Sequence, residues 1–288
     1  MAVSSRSSAS ASVAIVTVTY NTGQTLRSFL ESVQGASSKP VEVVVVDNAS
    51  ADADSAKAIT EEFGGHFLGL SSNGGYGSGI DAGVATLGES IEYILISNPD
   101  VTIGAGAIDE LVARAEAHPE AGAFGPRIND ASGTLYPSAR KLPSLRTGIG
   151  HVLFVKPWPS NPWTRAYRDE AARLEEREAG WLSGACLLVR ADVFEQLKGF
   201  DESYFMYFED VDLGARMTRA GLANLYVPTA VVTHTGAHST SGTSKVMERV
   251  HHESAYLYLS RKYRGWYLWP LRAALRVGLS LRSWWKTR

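Results

Sequence analysis

Four short apolar runs, each closed by polar residues and followed by a stretch with helical spacing, limit what this chain can fold into. The runs are VAIVTVT (13–19), VEVVVVD (41–47), FLGL (67–70) and IEYILIS (91–97). Between the first two, Leu26, Phe29, Leu30 and Val33 recur at helical spacing, and residues 52–63, 79–88 and 104–117 read as further helices. Apolar runs without polar alternation are strands buried on both faces. Alternating with helices, they build a parallel, doubly wound sheet covered on both sides. Ligands of such sheets sit beyond the carboxyl ends of the strands. Asn21, Asp47, Asn73 and Asp100 all fall there.

The second half is less regular. Residues 134–180 carry several prolines and a charged run, which predicts loops and a lid-like segment. WLSGACLLVR (181–190) reads as a resumed strand and ADVFEQLKGF (191–200) as a helix. Another helix is expected from about Phe208 to Ala220. A last strand in YVPTAVVTHTG (226–236) runs into His234, with His238 just beyond it.

With 288 residues, 44% of them hydrophobic, the chain can bury the core of one large α/β domain. Its single cysteine, Cys186, allows no internal disulfide and suggests no oxidising compartment. No apolar run is long enough to span a bilayer. The small, polar residues 1–12 read as a disordered leader, 13–240 as the main domain and 241–288 as a helical extension. The net charge of −2 is uneven, because residues 242–288 hold ten Lys/Arg against two Glu and four of the seven tryptophans. Basic residues interleaved with Trp and Leu suit a helix on an anionic membrane surface. Packing of the same aromatics on the main domain is the competing expectation. The acidic body argues against nucleic acid as a partner.

Three acids, Glu209, Asp210 and Asp212, stand directly behind the aromatics of YFMYF (204–208). They could start a helix, hold a metal or present a general base against an apolar wall. On a helix beginning near Phe208, Glu209 and Asp212 share a face while Asp210 projects about 100° away from Glu209. Asp47 could be a turn residue, or could accept a hydrogen bond from an imide or a sugar hydroxyl. Asn98-Pro99-Asp100 presents a carboxylate at the sheet edge, and a divalent cation bridging a diphosphate needs only one or two such groups. His234 could be a second ligand there or a structural hydrogen-bonder, and His238 a lesser candidate. Gly77-Ser78-Gly79-Ile80-Asp81-Ala82 matches the dinucleotide pattern G-x-G-x-x-A. It follows the third strand, however, and no acid ends the next strand as a ribose ligand. Its glycines read better as letting the backbone approach a nucleotide-sugar.

In order along the chain, VTVTYN, VVDNAS, NGGYGSGIDAG, NPD, SGACLLVR, GFDESYFMYFEDVDLGAR and the late histidine resemble the GT-A glycosyltransferases of family 2. In more detail they resemble the WbbL-type rhamnosyltransferases of actinobacterial cell-wall synthesis. The resemblance spans roughly 13–240. It implies a GT-A fold with a nucleotide-binding half (13–103) and an acceptor-binding half (104–240). It also implies inverting transfer of L-rhamnose from a dTDP-sugar donor to a polyprenyl-diphosphate-linked N-acetylglucosamine. Such an enzyme would work in the cytoplasm, peripherally on the inner face of the cell membrane. A UDP-sugar donor (galactofuranose or N-acetylglucosamine), or an inactive sugar-binding domain, remains open.

Carried over by position, Thr19, Asn21, Asp47, Asn73, Gly74, Asn98 and Asp100 would contact the donor. Trp181, Ser183, Gly184 and Glu209 would face the acceptor, and Asp210 would be the base. Asp100 and His234 would hold Mg2+ or Mn2+, with Asn98 replacing the first acid of the family's D-x-D motif. Asp212 would cap or solvate the helix start, and Asp81 stands where the family often has Asn.

Overall fold

The computed structural model describes residues 12–145, 174–236 and 244–287. One ten-stranded sheet runs through the main domain, eight of its strands in the order β3-β2-β1-β4-β11-β6-β12-β5, with β7 paired to β6 and β9 to β12. The first four of these strands are parallel: β1 (Val13–Thr19), β2 (Val41–Asp47), β3 (His66–Gly69) and β4 (Tyr93–Ser97). All seven residues of β1 are buried, because helices cover both of its faces. Helix α1 (Thr25–Val33) buries Leu26, Phe29, Leu30 and Val33, the four that share the expected spacing. Burying each contributes roughly 1.5–3 kcal/mol. Helix α2 (Ala53–Glu62) follows β2, and α4 (Ala107–Ala117) follows the edge strand β5 (Val101–Ile103).

Three local expectations are corrected. Helix α3 (Tyr76–Val84) begins inside the glycine-rich segment, ahead of the expected 79–88. A Cβ on Gly79 would meet Val18 and one on Gly83 would meet Val16 and Val46, all within 2.8 Å. These glycines therefore let the helix settle on β1 and β2, and they do not face a ligand. WLSGACLLVR is not one strand. It splits into β10 (Trp181–Leu182), paired with β8 (Ala139–Arg140), and β11 (Cys186–Arg190), inserted antiparallel between β4 and β6 (Ala121–Asn129). Of the expected lid-like stretch, 146–173 lies outside the described residues. The flanking parts form β7 (Leu135–Tyr136), β8 and β9 (Arg177–Ala179).

Helix α5 (Ala191–Gln196) precedes α6 (Glu209–Arg219), and β12 (Ala223–His234) closes the sheet between β6 and β5. Because β11 is antiparallel, its first residue pairs with the last of β4 (Cys186 with Ser97). The carboxyl ends of β1, β2, β4 and β12 thus share one edge with the start of β11.

The C-terminal segment divides. Helix α7 (Ser244–Lys262) packs on the body, burying Ala255 and Tyr258. Tyr258 joins a small apolar cluster with Tyr204, Val211 and Ala215, and Arg261 pairs with Asp201. Helix α8 (Trp269–Thr287) folds back on α7. At the elbow between them Trp266, Tyr267 and Trp269 are 84%, 66% and 64% exposed. The packing expected of the tail is thus met by α7, while the elbow aromatics stay exposed. Among the described residues no helix is long and apolar enough to cross a membrane.

Candidate active site

The parallel register sets Thr19 beside Asp47. Asp47 is 1% exposed and accepts hydrogen bonds from the Thr19 hydroxyl (3.0 Å) and the Ser50 amide (2.8 Å). Thr19 is fully buried. Both sit behind the surface, where they tie the two loops together. Asn21 completes that tie, its amide donating to Ser50 Oγ and its Oδ1 accepting from the Ala51 amide (both 2.9 Å). Asn21 and the neighbouring Tyr20 are exposed. Asn73 turns the glycine segment by accepting from the Gly75 amide, and Gly74 is exposed beside it. Asn48, not foreseen, is buried and donates to the Gly75 carbonyl (2.9 Å).

At the β4 end, Asp100 Oδ1 lies 3.0 Å from His234 Nε2, and the Asn98 amide nitrogen lies 3.5 Å from the same atom. The pairing of β12 with β5 sets this distance, since His234 is in register with Val101. All three expected residues therefore meet. One hard carboxylate oxygen and one imidazole nitrogen thus face each other, a donor pair suited to Mg2+ or Mn2+. Among the described residues no group of three His, Cys, Asp or Glu could hold a metal. A cation here would draw its other ligands from phosphate and water, as the missing first acid of the motif implies. His238 lies outside the described residues.

The acid cluster opens α6. Tyr207 and Phe208 both have left-handed backbones (φ +68° and +70°), each costing about 1–3 kcal/mol for a non-glycine residue. This reversal turns Phe208 back onto Tyr258 and leaves Asp210 facing the β10–β11 break. Asp210 accepts from the Gly184 amide (3.0 Å) and the Val211 amide (2.8 Å), one donor per oxygen. Burial raises its pKa, and the two amides and the Arg140 charge pull the other way. Glu209, 6% exposed, is raised by burial and then by the charge of Asp210, and its Oε2 has no partner. Asp210, held by two amides, is therefore the better-stabilised anion of the pair.

Other members of the set move. Ser183 is buried, its hydroxyl accepting from the Ala185 amide and its own amide donating to Ser138. Gly184 is buried too, behind Asp210. The strand break aims their amides inward, toward Asp210 and Ser138. Trp181 lies partly buried under the Arg140 guanidinium. Asp212 does not cap the helix. It forms a buried ion pair with Arg216 (2.6 Å), which in turn donates to Leu197. Asp81 accepts from the Phe200 amide, and burial pushes its pKa up to about 6.

A mostly parallel sheet with an Asp–His pair at one strand end and an amide-held carboxylate opposite is the arrangement expected of a GT-A glycosyltransferase. The chain belongs to Glycosyl transferase family 2, whose description matches residues 14–198. The N-acetylglucosaminyl-diphospho-decaprenol L-rhamnosyltransferase of Mycobacterium tuberculosis is 44% identical over 278 residues, covering 93% of this chain and 91% of that protein. Rhamnosyltransferase WbbL of Escherichia coli (strain K12) is 28% identical, covering 87% of this chain and 93% of that protein. Among solved structures, the mannosyltransferase PcManGT from Pyrobaculum calidifontis, in complex with GDP-Man and Mn2+, has a TM-score of 0.61. Its identity is 14%, covering 96% of this chain and 72% of that one, so it shares the fold.

Proposed function

We propose that this enzyme moves L-rhamnose from dTDP-L-rhamnose to the N-acetylglucosamine of a polyprenyl-diphosphate-linked acceptor, inverting the donor's anomeric carbon. The observation that carries the substrates is the 44% identity to the mycobacterial L-rhamnosyltransferase over nearly the whole chain. An acceptor hydroxyl oxygen attacks the anomeric carbon, the bond to the diphosphate breaks, and the hydroxyl proton passes to Asp210. Asn21, Asn73 and Gly74 meet the nucleotide-sugar, while Thr19 and Asp47 hold the loop bearing Asn21 from behind. Asp100 and His234, with Asn98 beside them, would hold a divalent cation. When bound, it would offset the charge growing on the departing diphosphate.

Purified protein offered dTDP-rhamnose, UDP-galactofuranose and UDP-N-acetylglucosamine with a polyprenyl-diphospho-N-acetylglucosamine tests the reading by mass spectrometry of the lipid. Addition of rhamnose alone is expected. Transfer only from a UDP-sugar overturns the donor, and nucleotide-sugar binding without transfer from any donor overturns the enzyme. Asp100→Asn is expected to raise the Mn2+ concentration for half-maximal rate by at least about tenfold, the lower end of what even an outer-shell partner is worth. An unchanged metal titration would remove Asp100 from the site.

We further propose that the elbow of Trp266, Tyr267 and Trp269, flanked by Arg264, Arg272 and Arg276, rests on the anionic bilayer that holds the acceptor. Truncation at Gly242 is a poor test, because it strips α7 from Tyr204 and Val211. The triple alanine variant of the exposed elbow touches no core residue. It should sediment at least about tenfold less with anionic vesicles and keep wild-type turnover on a soluble acceptor. Unchanged sedimentation would exclude the elbow as the docking surface.

A further inference from the structure

Tyr76 has no role in the reading above, yet three of its contacts cross from the nucleotide half to the acceptor half. It is the first residue of α3. Its amide donates to the Phe205 carbonyl (2.9 Å), its hydroxyl donates to the Gly184 carbonyl (2.8 Å), and its ring lies 6.5 Å from that of Phe200. Gly184 is the residue whose amide holds Asp210. The contact is close: a Cβ on Gly184 would come within 3.3 Å of Asp210 Cβ and 3.7 Å of both Asp210 Oδ2 and a Tyr76 ring carbon.

The three-residue break Ser183-Gly184-Ala185 lacks the ladder of a strand and is pinned one group at a time. Ser183 donates to Ser138, Asn98 donates to the Ala185 carbonyl (2.9 Å), and Tyr76 takes the carbonyl between them. A phenylalanine could make the ring contact, but only the hydroxyl can hold Gly184. Burial and the charges of Glu209 and Asp210 keep the phenol well above its ordinary pKa, so it stays a donor at any working pH.

We propose that Tyr76 is a positioning residue for the base: its hydroxyl fixes Gly184 and so sets the direction and hydrogen bonding of Asp210. The proposal rests on Asp210 being the base. It also joins that base to the glycine turn that meets the nucleotide-sugar, since Gly75 and Tyr76 are consecutive.

The groups facing Asp210 are Glu209 on its own helix, Tyr76 from α3, Arg140 from β8 and the Gly184 and Val211 amides. Loosening Gly184 removes a donor to the carboxylate, so Asp210 becomes harder to ionise. Tyr76→Phe should therefore lower kcat about tenfold, as a small misalignment of a reacting group does. Both KM values should stay within about twofold, and the acid limb of the kcat/KM profile should move to higher pH. In an Asp210→Asn background the same change should cost nothing more, because its effect passes through the missing carboxylate.

Wild-type kcat in Tyr76→Phe, or losses that multiply in the double variant, would overturn the proposal. An Asp210→Asn enzyme near wild-type rate would instead overturn the reading of the base, and the role of Tyr76 with it. If Tyr76→Phe melts early, Gly184→Ala decides. It presses on Asp210 without touching the hydroxyl and should give the same kcat loss and the same non-additivity with Asp210→Asn; independent losses there overturn the proposal too.

Discussion

Asp210→Asn is expected to lower kcat by about 10²–10⁴-fold, the usual contribution of a general base, and to leave donor affinity unchanged in calorimetry. The substitution is nearly isosteric, and its amide oxygen can still accept from the Gly184 amide. What it loses is the ability to take a proton. Glu209→Gln should cost much less than Asp210→Asn, because burial raises the pKa of Glu209, its Oε2 has no partner, and it lacks the two amides that hold Asp210. In the wild type, kcat/KM should fall as pH drops through the raised pKa of Asp210, and that limb should vanish in Asp210→Asn. An Asp210→Asn enzyme keeping more than roughly a tenth of wild-type turnover would rule the carboxylate out as base.

The two halves of the site meet because of strand direction. Strand β11 enters antiparallel, so the break before it falls at the edge where β1, β2, β4 and β12 end. Asn98 and Asp210 then engage neighbouring residues of one short segment, Ala185 and Gly184. The cation-side turn and the base are thus two hydrogen bonds apart.

Where burial is two-sided, the sequence was legible. Runs such as VAIVTVT have one stable placement, and Leu26, Phe29, Leu30 and Val33 have one common face. Glycines misled, since absence of a Cβ serves close packing of α3 on β1 as readily as contact with a ligand. A strand-end position also cannot say which way a carboxylate points. Asp47 is used by Thr19 and Ser50, whereas Asp100 reaches His234. The split of WLSGACLLVR had no signature in its apolar pattern. Asp212 was different: Arg216, four residues on, is the i,i+4 partner that helical geometry offers a buried acid. The C-terminal composition described two environments at once, a packed helix and an exposed elbow. Composition alone does not divide them.

Gly75→Ala should lower kcat/KM by about 100-fold, the cost of moving a reacting group by about 1 Å. Gly75 sits at φ +97°, its carbonyl accepting from Asn48 and its amide donating to Asn73. An added Cβ would lie 2.9 Å from Phe205 Cα and overlap the Phe205 carbonyl oxygen, the same oxygen that accepts from the Tyr76 amide. The turn and the segment leading to Asp210 would have to separate, loosening donor pocket and base together. Both a higher donor KM and a lower kcat are therefore expected. Gly106→Ala provides the comparison, since Gly106 also has a positive φ (+69°, in the left-handed helical region) but its added Cβ would meet nothing within 4 Å. Each variant takes on backbone strain, about 1–2 kcal/mol at Gly106 and about 1–3 kcal/mol at Gly75, whose ψ of 178° lies where essentially only glycine goes, visible as a melting temperature lower by a few degrees. Only Gly75→Ala adds the overlap, so Gly106→Ala should keep wild-type kcat/KM. Equal losses of activity would mean that strain alone sets the outcome, and that the seam between Gly75 and Phe205 does not hold the base in place.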